Sequence, residues 1–363
     1  MILFSLYWFF LSAFSAEPEE VSPLDQTRML GISLLQENGL EEELNKSAIR
    51  GMLKYIDDQL GYGASKLMTV EEKDHLLEYQ KGIREGYGLR IQLIERKGFL
   101  VEHIFQDGAA SQTGLRKGDL IISVGNQTLM GKQSGEMIRI LNLTSQGEVR
   151  FEVLRNGHLL SFFITRGSYQ LHPISIYNNV VQIHYFTPDT TEKLKEVLLK
   201  RRSRELILDL RNNEGGSIEQ VQKVMGLFLP NVLMGYRHLV EGKDEEIRSI
   251  GDDELHFESS VYILINKQTA HAGELFVSSM LDHKRATVVG ERSAGLAYEN
   301  HFYPLNKNLF LYVADTKLLN LGKTSWEGSG VQPSIVVRSS QSIVGGREID
   351  VQLETVLRLL KSP

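Results

Sequence analysis

The chain has 363 residues and a formal net charge of −6, from 40 Lys and Arg against 46 Asp and Glu. At about 150 residues per domain, this length predicts two or three domains. Hydrophobic residues make up 42% and charged residues 24%, which argues against a largely disordered or coiled-coil chain. The mild acidity argues against a nucleic-acid partner, and the absence of cysteine excludes disulfides, thiolate nucleophiles and cysteine metal sites.

The first predicted element is an apolar run from Ile2 to Phe14, which acidic residues follow at once. It is shorter than the roughly 20 residues that a membrane-spanning helix needs. The small residues Ala13, Ser15 and Ala16 suit cleavage by a signal peptidase. We therefore expect residues 1–16 to be a secretory signal and the protein to be exported, periplasmic or secreted. The alternative is an uncleaved N-terminal anchor, which would be the one membrane contact of the chain.

A helical pattern follows the apolar run. Ile49, Met52, Leu53 and Ile56 recur at spacings of three and four residues, which indicates one apolar helix face. The sequence therefore predicts an N-terminal helical segment over residues 17–85.

The hydrophobic period changes to that of short strands over residues 86–167. Val149 to Val153 alternates between apolar and polar residues, and Asn156-Gly157 is a strong signal for a hairpin turn. A short helix is predicted from Ser134 to Leu141. This order of elements predicts one small β-rich domain with short helices.

Helices and buried strands alternate over residues 168–338. Continuous apolar runs at Leu206–Leu210, Val261–Ile265 and Ala286–Val289 predict strands of a sheet that helices cover on its faces. We therefore expect a multi-domain α/β protein whose core is built of βαβ units. The last segment, 339–363, is predicted to be a helical tail.

Two strand ends carry the small and polar residues from which a site could be built. They are Asp209–Gly216 and Asn266–Glu274, and open α/β sheets place their ligands at such strand ends. A glycine pair between strand and helix can present backbone N–H groups to an oxyanion or a carbonyl. The alternative interpretation is a plain strand-to-helix turn.

The segment from Leu206 to Gly216, Leu-Ile-Leu-Asp-Leu-Arg-Asn-Asn-Glu-Gly-Gly, resembles the signature of the C-terminal processing peptidases, or tail-specific proteases. That family has proline where this chain has Glu214. Residues 86–166 look like the PDZ domain of these enzymes, and Ala48–Leu53 resembles their N-terminal helical segment. Further landmarks of the family match in order: Val289–Glu291, Gly330–Pro333 and Asp350–Glu354.

The resemblance implies a serine nucleophile and a lysine base, because serine is a weak nucleophile without an adjacent base. The family pattern for the nucleophile, Thr-Ala-Ser-Ala-Ser-Glu, corresponds to Thr269–Glu274 and places His271 at the serine. The pattern for the base, Gly-Glu-x-Thr-x-Gly-Lys, places Leu296 at the lysine. Both catalytic residues are therefore absent, so the chain looks like a pseudo-peptidase.

His271 also admits other roles. It could act as a base together with Glu274, since residues three apart on a helix face each other and histidine titrates near neutral pH. A lone histidine at a helix start is more often a polar filler. A metal site is not predicted, because the ten histidines are scattered and no His-Glu-x-x-His motif occurs.

The resemblance also implies two sets of binding groups. Backbone N–H groups of an oxyanion-like site are predicted at Gly215, Gly216 and Ala272. A loop that binds the carboxylate of a peptide C-terminus is predicted at Gly86, Tyr87, Gly88 and Leu89.

The leading hypothesis is an exported, inactive relative that binds peptide or protein C-termini as a scaffold or regulator, with no cofactor. The alternative is an active endopeptidase of the serine or histidine-assisted type that acts on exported proteins. A third hypothesis is a structural subunit whose partner is an active paralogous protease or an envelope protein.

Overall fold

A computed structural model describes the chain in eight ranges, which form two compact units. The predicted signal segment, 1–16, lies outside the described residues. Within them, no helix is long and apolar enough to cross a membrane. The described ranges are 42–60, 65–143, 147–201, 205–239, 242–252, 254–338, 341–344 and 347–361. The second unit contains residues 75–175 and 187–190, and the first contains the rest.

The described residues form seven α-helices and 21 strands. The helices are α1 Glu42–Leu60, α2 Val70–Gln80, α3 Ser134–Leu143, α4 Thr190–Lys200, α5 Ile218–Gly226, α6 Ala272–Asp282 and α7 Val351–Leu359. The first eleven strands are β1 Lys66–Thr69, β2 Ile83–Gly86, β3 Leu89–Ile94, β4 Gly98–Ile104, β5 Leu120–Val124, β6 Gln127–Thr128, β7 Glu148–Arg155, β8 His158–Thr165, β9 Gly167–Gln170, β10 Ile174–Tyr177 and β11 Val180–Ile183. The others are β12 Leu206–Asp209, β13 Leu233–Leu239, β14 Asp244–Arg248, β15 Val261–Ile265, β16 Ala286–Gly290, β17 Tyr298–Pro304, β18 Leu309–Leu319, β19 Ile335–Val336, β20 Gln341–Val344 and β21 Arg347–Asp350.

The first unit is built around a six-stranded sheet with the order β10-β11-β12-β15-β16-β19. The strands from β11 to β19 run parallel to one another. The apolar runs predicted as strands are β12, β15 and β16, which confirms the α/β core. Parallel strands need crossovers, and helices between them cover the faces of the sheet. All carboxyl ends of these strands therefore meet at one edge, where the candidate site lies.

A second sheet of the first unit packs against α1. Strands β1, β18, β13 and β14 follow one another in this sheet, and β17 also pairs with β18. Ile49 and Leu53 of α1 are buried with Leu311 and Val313 of β18 in one apolar cluster. The helix stripe predicted from the sequence is therefore a packing face.

The second unit is a six-stranded antiparallel sheet with α3 packed into its core. The order is β3-β4-β5-β7-β8, with β6 paired to β5. Met137 and Ile140 of α3 are buried among apolar strand residues. Asn156 and Gly157 both have positive φ and join β7 to β8 by a two-residue turn, as the sequence predicts.

Two predictions about secondary structure were wrong in part. The segment predicted to be helical, 17–85, contains strands β1 and β2 besides its helices, because these strands pair with β18 and β9, which are distant in sequence. The tail predicted to be helical, 339–363, begins with the hairpin of β20 and β21. Helix α7 follows within this segment, and Asp350 caps it by accepting a hydrogen bond from the Leu353 N–H.

Candidate functional site

The loop after β12 is held in place by the buried side chain of Asn213. Its Nδ2 donates to the carbonyl of Ile183, and its Oδ1 accepts from the Gly215 N–H at 2.8 Å. The loop continues through Gly216, whose missing side chain lets the Phe186 backbone approach closely. A Cβ at Gly216 would lie 2.4 Å from the Phe186 carbonyl oxygen, so the loop needs glycine there. The loop between β12 and α5 is therefore held by side-chain hydrogen bonds and by close backbone packing at Gly216.

The loop after β15 lies directly beside the first loop. The Ala270 N–H donates to the Asn213 carbonyl at 2.9 Å, and the buried Thr269 hydroxyl donates to the Leu210 carbonyl. Asn212 and Asn266 add two further hydrogen bonds between the loops. The two segments singled out in the sequence are therefore brought together at one edge of the sheet.

His271 begins α6 in a backbone conformation that side chains rarely adopt, with φ 48° and ψ −120°. Sharp strand-to-helix turns of this strained kind expose the nucleophile in α/β-hydrolases. Gly215 is in close contact, since a Cβ added there would lie 2.8 Å from the His271 Cβ. The imidazole packs edge-to-face on Tyr298, with ring centroids 5.1 Å apart. The position that the family pattern assigns to the nucleophile therefore has a strained backbone at a helix start and carries an imidazole.

Two backbone N–H groups of this site, those of Gly216 and Ala272, donate no hydrogen bond to the described residues. One of the three predicted oxyanion donors differs from the prediction. The Gly215 N–H is already bound to Asn213 Oδ1, so Gly215 contributes space rather than a donor. The sequence could not reveal this, because the glycine pair offers two equivalent donors until the Asn213 side chain is placed.

Glu274 joins the nucleophile position to the base position. Its side chain is fully buried. Oε2 accepts from the N–H groups of His271 at 3.0 Å and Leu296 at 2.8 Å. Oε1 accepts from the Ser293 hydroxyl at 2.5 Å and the Gly295 N–H at 2.7 Å. Burial raises the pKa of the Glu274 carboxyl, and these four hydrogen bonds lower it by less.

The loop that carries Leu296 is fixed by further backbone contacts. The Ala294 N–H donates to the Thr269 carbonyl, and the Ser293 hydroxyl accepts from the Val331 N–H at 2.6 Å. Gly295 has positive φ, and a Cβ there would lie 2.8 Å from the Gly330 nitrogen. The position of the missing lysine is therefore as well defined as that of the missing serine. Among the described residues, no three His, Asp or Glu side chains are grouped closely enough to hold a metal ion.

A charge network at the end of β12 was not predicted from the sequence. Arg211 pairs with Asp209 and Asp350, and the Tyr177 hydroxyl donates to Asp209 at 2.5 Å. Burial raises the pKa of Tyr177, and the Asp209 carboxylate raises it further. Asp350 entered the sequence analysis only as a family landmark. The network joins the end of β12 to the start of α7, and so helps to hold the strand end that leads into the site.

In the second unit, the predicted carboxylate loop connects β2 to β3. The Tyr87 ring is buried in the core and packs edge-to-face on Phe151 at 4.8 Å. Gly88 has φ 74°, and a Cβ there would lie 2.3 Å from the Gly108 Cα. Any side chain at Gly88 would therefore displace the loop itself, so a substitution there cannot report on ligand charge alone.

We expect the His271 imidazole to titrate below 6.5, the usual pKa of histidine. Burial lowers its pKa, and the Tyr298 backbone and Glu214 raise it by less. His301 is the internal control, because its hydrogen bond to Asp315 raises its pKa. Nuclear magnetic resonance of ¹³C-labelled histidine, with His271→Asn and His301→Asn for assignment, measures both. A midpoint for His271 at or above that of His301 would contradict the buried, neutral imidazole.

Two family models match the chain in the regions just described. The model of peptidase family S41 matches residues 179–337, and that of the PDZ domain matches residues 76–154. Residues 179–337 therefore belong to peptidase family S41, and residues 76–154 form a PDZ domain. The family resemblance read from the sequence, with a PDZ domain and a mixed α/β fold, is thereby confirmed.

Relatives of the family cover most of the chain at low identity. A "Probable CtpA-like serine protease" of Staphylococcus haemolyticus is 25% identical over 308 residues, which are 82% of this chain and 61% of the relative. Its counterpart in Staphylococcus aureus is 25% identical over 305 residues, which are 82% of this chain and 60% of the relative. The chain thus spans about 60% of the length of these curated relatives.

Solved structures show the same fold. The photosystem II D1 C-terminal processing protease superposes with a TM-score of 0.56 at 20% identity, over 91% of this chain and 89% of that chain. A lipoprotein from Streptococcus agalactiae superposes with a TM-score of 0.52 at 12% identity, over 96% of this chain and 99% of that chain. At these identities the likeness concerns the fold alone.

Proposed function

We propose that this protein is a catalytically inactive member of the family that binds peptide or protein C-termini through its PDZ domain, as a scaffold or regulator. One observation carries the proposal. The backbone positions of the nucleophile and the base are held together by Glu274, yet they carry His271 and Leu296. The loss therefore concerns the two reacting side chains and leaves their supporting structure intact.

Hydrolysis by this family pattern needs a nucleophile and a base that act as one unit. Leu296 has no atom that accepts a proton, and His271 has no hydroxyl to attack a carbonyl. The Ser293 hydroxyl cannot replace the serine, because it donates to Glu274 and accepts from the Val331 N–H. The unpartnered N–H groups of Gly216 and Ala272 could still hold a peptide carbonyl without cleaving it.

The second unit supplies the proposed binding function. A peptide would add as a strand beside β3 and place its terminal carboxylate at the loop of Gly86, Tyr87 and Gly88. The positive φ of Gly88 and the burial of Tyr87 define the course of this loop. The loop leads directly into β3, which pairs with β4 from Leu89 to Ile94 with a register shift between Arg90 and Ile91.

We expect the full chain to bind a peptide with a free C-terminus at least tenfold more tightly than its C-terminally amidated twin. In the proposed complex backbone N–H groups of the loop donate to the carboxylate, and each charge-assisted hydrogen bond of this kind stabilises a complex by about 1.5–3 kcal/mol. Fluorescence anisotropy with apolar-ended peptides measures the ratio, and the amidated peptide is the matched control. Equal affinities would refute carboxylate recognition while leaving the question of catalysis untouched.

A second candidate function is an active peptidase that uses His271. The strained His271 backbone and the free N–H of Ala272 favour it, since both are features of working hydrolase sites. Burial lowers the pKa of the His271 imidazole, so the ring is neutral and able to accept a proton. Cleavage of casein or of C-terminally tagged peptides by the wild-type chain, lost in His271→Ala, would establish this candidate and overturn the inactive one.

The proposal includes export, periplasmic or secreted, which rests on the apolar run from Ile2 to Phe14. The partners would then be exported or envelope proteins with accessible C-termini, an active paralogous protease among them. Fractionation of cells that produce the full chain, followed by co-purification with and without a competing C-terminal peptide, tests both points. Retention in the cytoplasm would contradict export.

A further inference from the structure

Strand β8 forms an edge of the sheet in the second unit and leaves one side of its backbone without a partner strand. Among the described residues, β8 pairs only with β7. An unprotected edge is a template for pairing with another strand, and proteins block such edges with charged side chains, proline or bulges. The eight residues from His158 to Thr165 contain no Lys, Arg, Asp, Glu or Pro, and their pairing with β7 has no bulge.

Two large apolar side chains are exposed along this edge. Leu159 is 58% exposed and Phe163 is 56% exposed, and Ser161 lies between them on the same face. Each exceeds half exposure although the opposite face of β8, with Ile164, is packed in the core. The face therefore carries no charged residue of β8 itself, and between Leu159 and Phe163 the Ser161 hydroxyl accepts hydrogen bonds from the Arg150 guanidinium of β7.

The two-residue turn determines which backbone groups face outward. Arg155 and His158 flank this turn and form a hydrogen-bonded pair, so alternate residues from His158 onward bond to β7. The residues between them direct their N–H and C=O groups to the free edge. These are Leu159, Ser161, Phe163 and Thr165.

We infer that β8 is a self-association edge, at which two copies of this chain pair antiparallel about a two-fold axis at Ser161. This register places Leu159 of each copy opposite Phe163 of the other, so an apolar side chain faces an apolar side chain on each side of the axis. It also uses the outward groups of all three residues, which gives about six backbone hydrogen bonds. A shift by two residues would place Phe163 opposite the turn or opposite Ser161. In this antiparallel register the strand is complementary to a second copy of itself. This self-complementarity favours a second copy over another partner.

Charge and size agree with a reversible dimer. Strand β8 itself contains no Lys, Arg, Asp or Glu, and Arg150 of β7, which donates to the Ser161 hydroxyl near the axis, is already neutralised by its ion pair with Glu152. One strand per copy with two apolar side chains falls below the 1,200 Å² or so that stable interfaces bury. We therefore expect a dissociation constant of about 10–100 µM, measured by analytical ultracentrifugation of the full chain.

The absence of cysteine provides a sharp test of the register. In the inferred dimer the two Ser161 Cα atoms are about 5.5 Å apart, within the range of a disulfide. Oxidation of the Ser161→Cys variant should therefore give covalent dimers. The Thr165→Cys variant is the matched control on the same strand, because the Cα atoms of residue 165 in the two copies would lie about 27 Å apart. Equal cross-linking of both variants, or of neither, would overturn the inference.

A second pair of variants tests the apolar contact. Phe163→Lys adds a charge to the exposed face of the edge and should weaken dimerisation at least tenfold. Met130→Lys, at a residue 54% exposed in the same unit, should leave it unchanged. Thermal unfolding of each variant shows that its fold is kept. A wild-type chain that stays monomeric at millimolar concentration, or that pairs its edge only with an added foreign strand peptide, would also overturn the inference.

Discussion

The double variant His271→Ser with Leu296→Lys is expected to react with a serine-directed fluorophosphonate, whereas the wild type and both single variants are expected not to react. A serine alone has no base, and a lysine alone has no nucleophile to activate. Labelling at residue 271, identified by mass spectrometry, is the measurement. A slow cleavage of casein should accompany it, with no detectable cleavage by the other three proteins.

The expectation rests on the contacts that survive around the two positions. Glu274 Oε2 accepts from the backbone of both His271 and Leu296, so the two new side chains would start from a fixed separation. The φ of 48° at residue 271 already presents a side chain as a nucleophile turn does. Leu296 is half-buried, and burial lowers the pKa of a lysine toward the neutral form that a base requires.

The matched control is His271→Ala with Leu296→Lys, which has the base without the nucleophile. Labelling of that control would show reaction at another residue. A double variant that folds but stays unreactive, when its Glu214→Pro derivative is unreactive too, would mean that the cleft differs from a working one in more than these side chains. Robust cleavage by the wild type, lost on His271→Ala, would overturn the proposed inactivity altogether.

Much of the fold could be predicted because its signals are local. The buried strands β12, β15 and β16 appear as continuous apolar runs, and the turn at Asn156-Gly157 requires two residues with positive φ. Strands β1 and β2 were missed because Lys66–Thr69 and Ile83–Gly86 become strands only through partners more than 80 residues away. Pairing of this kind leaves almost no signal in four residues.

The positions of the candidate site residues followed from motif spacing, whereas the contacts and hydrogen bonds that connect them did not. The sequence places His271 at a helix start, but the strain in its backbone and the contact with Tyr298 depend on the tertiary structure. The use of the Gly215 N–H by Asn213 is likewise invisible before the loop is built. Glu274 was considered only as a partner for an imidazole. Its bond to the Leu296 N–H, 22 residues away, could not be anticipated.

Replacement of Glu274 tests whether one side chain holds the nucleophile and base loops together. Glu274→Ala would leave four buried donors without an acceptor, in His271, Ser293, Gly295 and Leu296. An unsatisfied buried donor costs about 1–3 kcal/mol, and water that enters the space of the lost side chain offsets part of the sum. We expect the free energy of unfolding of the first unit to fall by roughly 3–5 kcal/mol, measured by urea denaturation.

The exposed Glu196, which forms an i,i+4 pair with Lys200, is the matched control for that loss. Glu196→Ala should change the free energy of unfolding by no more than about 0.5 kcal/mol. Glu274→Gln keeps the side-chain volume but turns an amide donor toward N–H groups. Its loss of unfolding free energy should therefore lie between the losses of the two alanine variants. Added to the double variant His271→Ser with Leu296→Lys, Glu274→Gln should also abolish fluorophosphonate labelling, which a purely structural role far from the site would not do. A Glu274→Ala variant within 1 kcal/mol or so of the wild type would show that the loops are held together without the carboxylate.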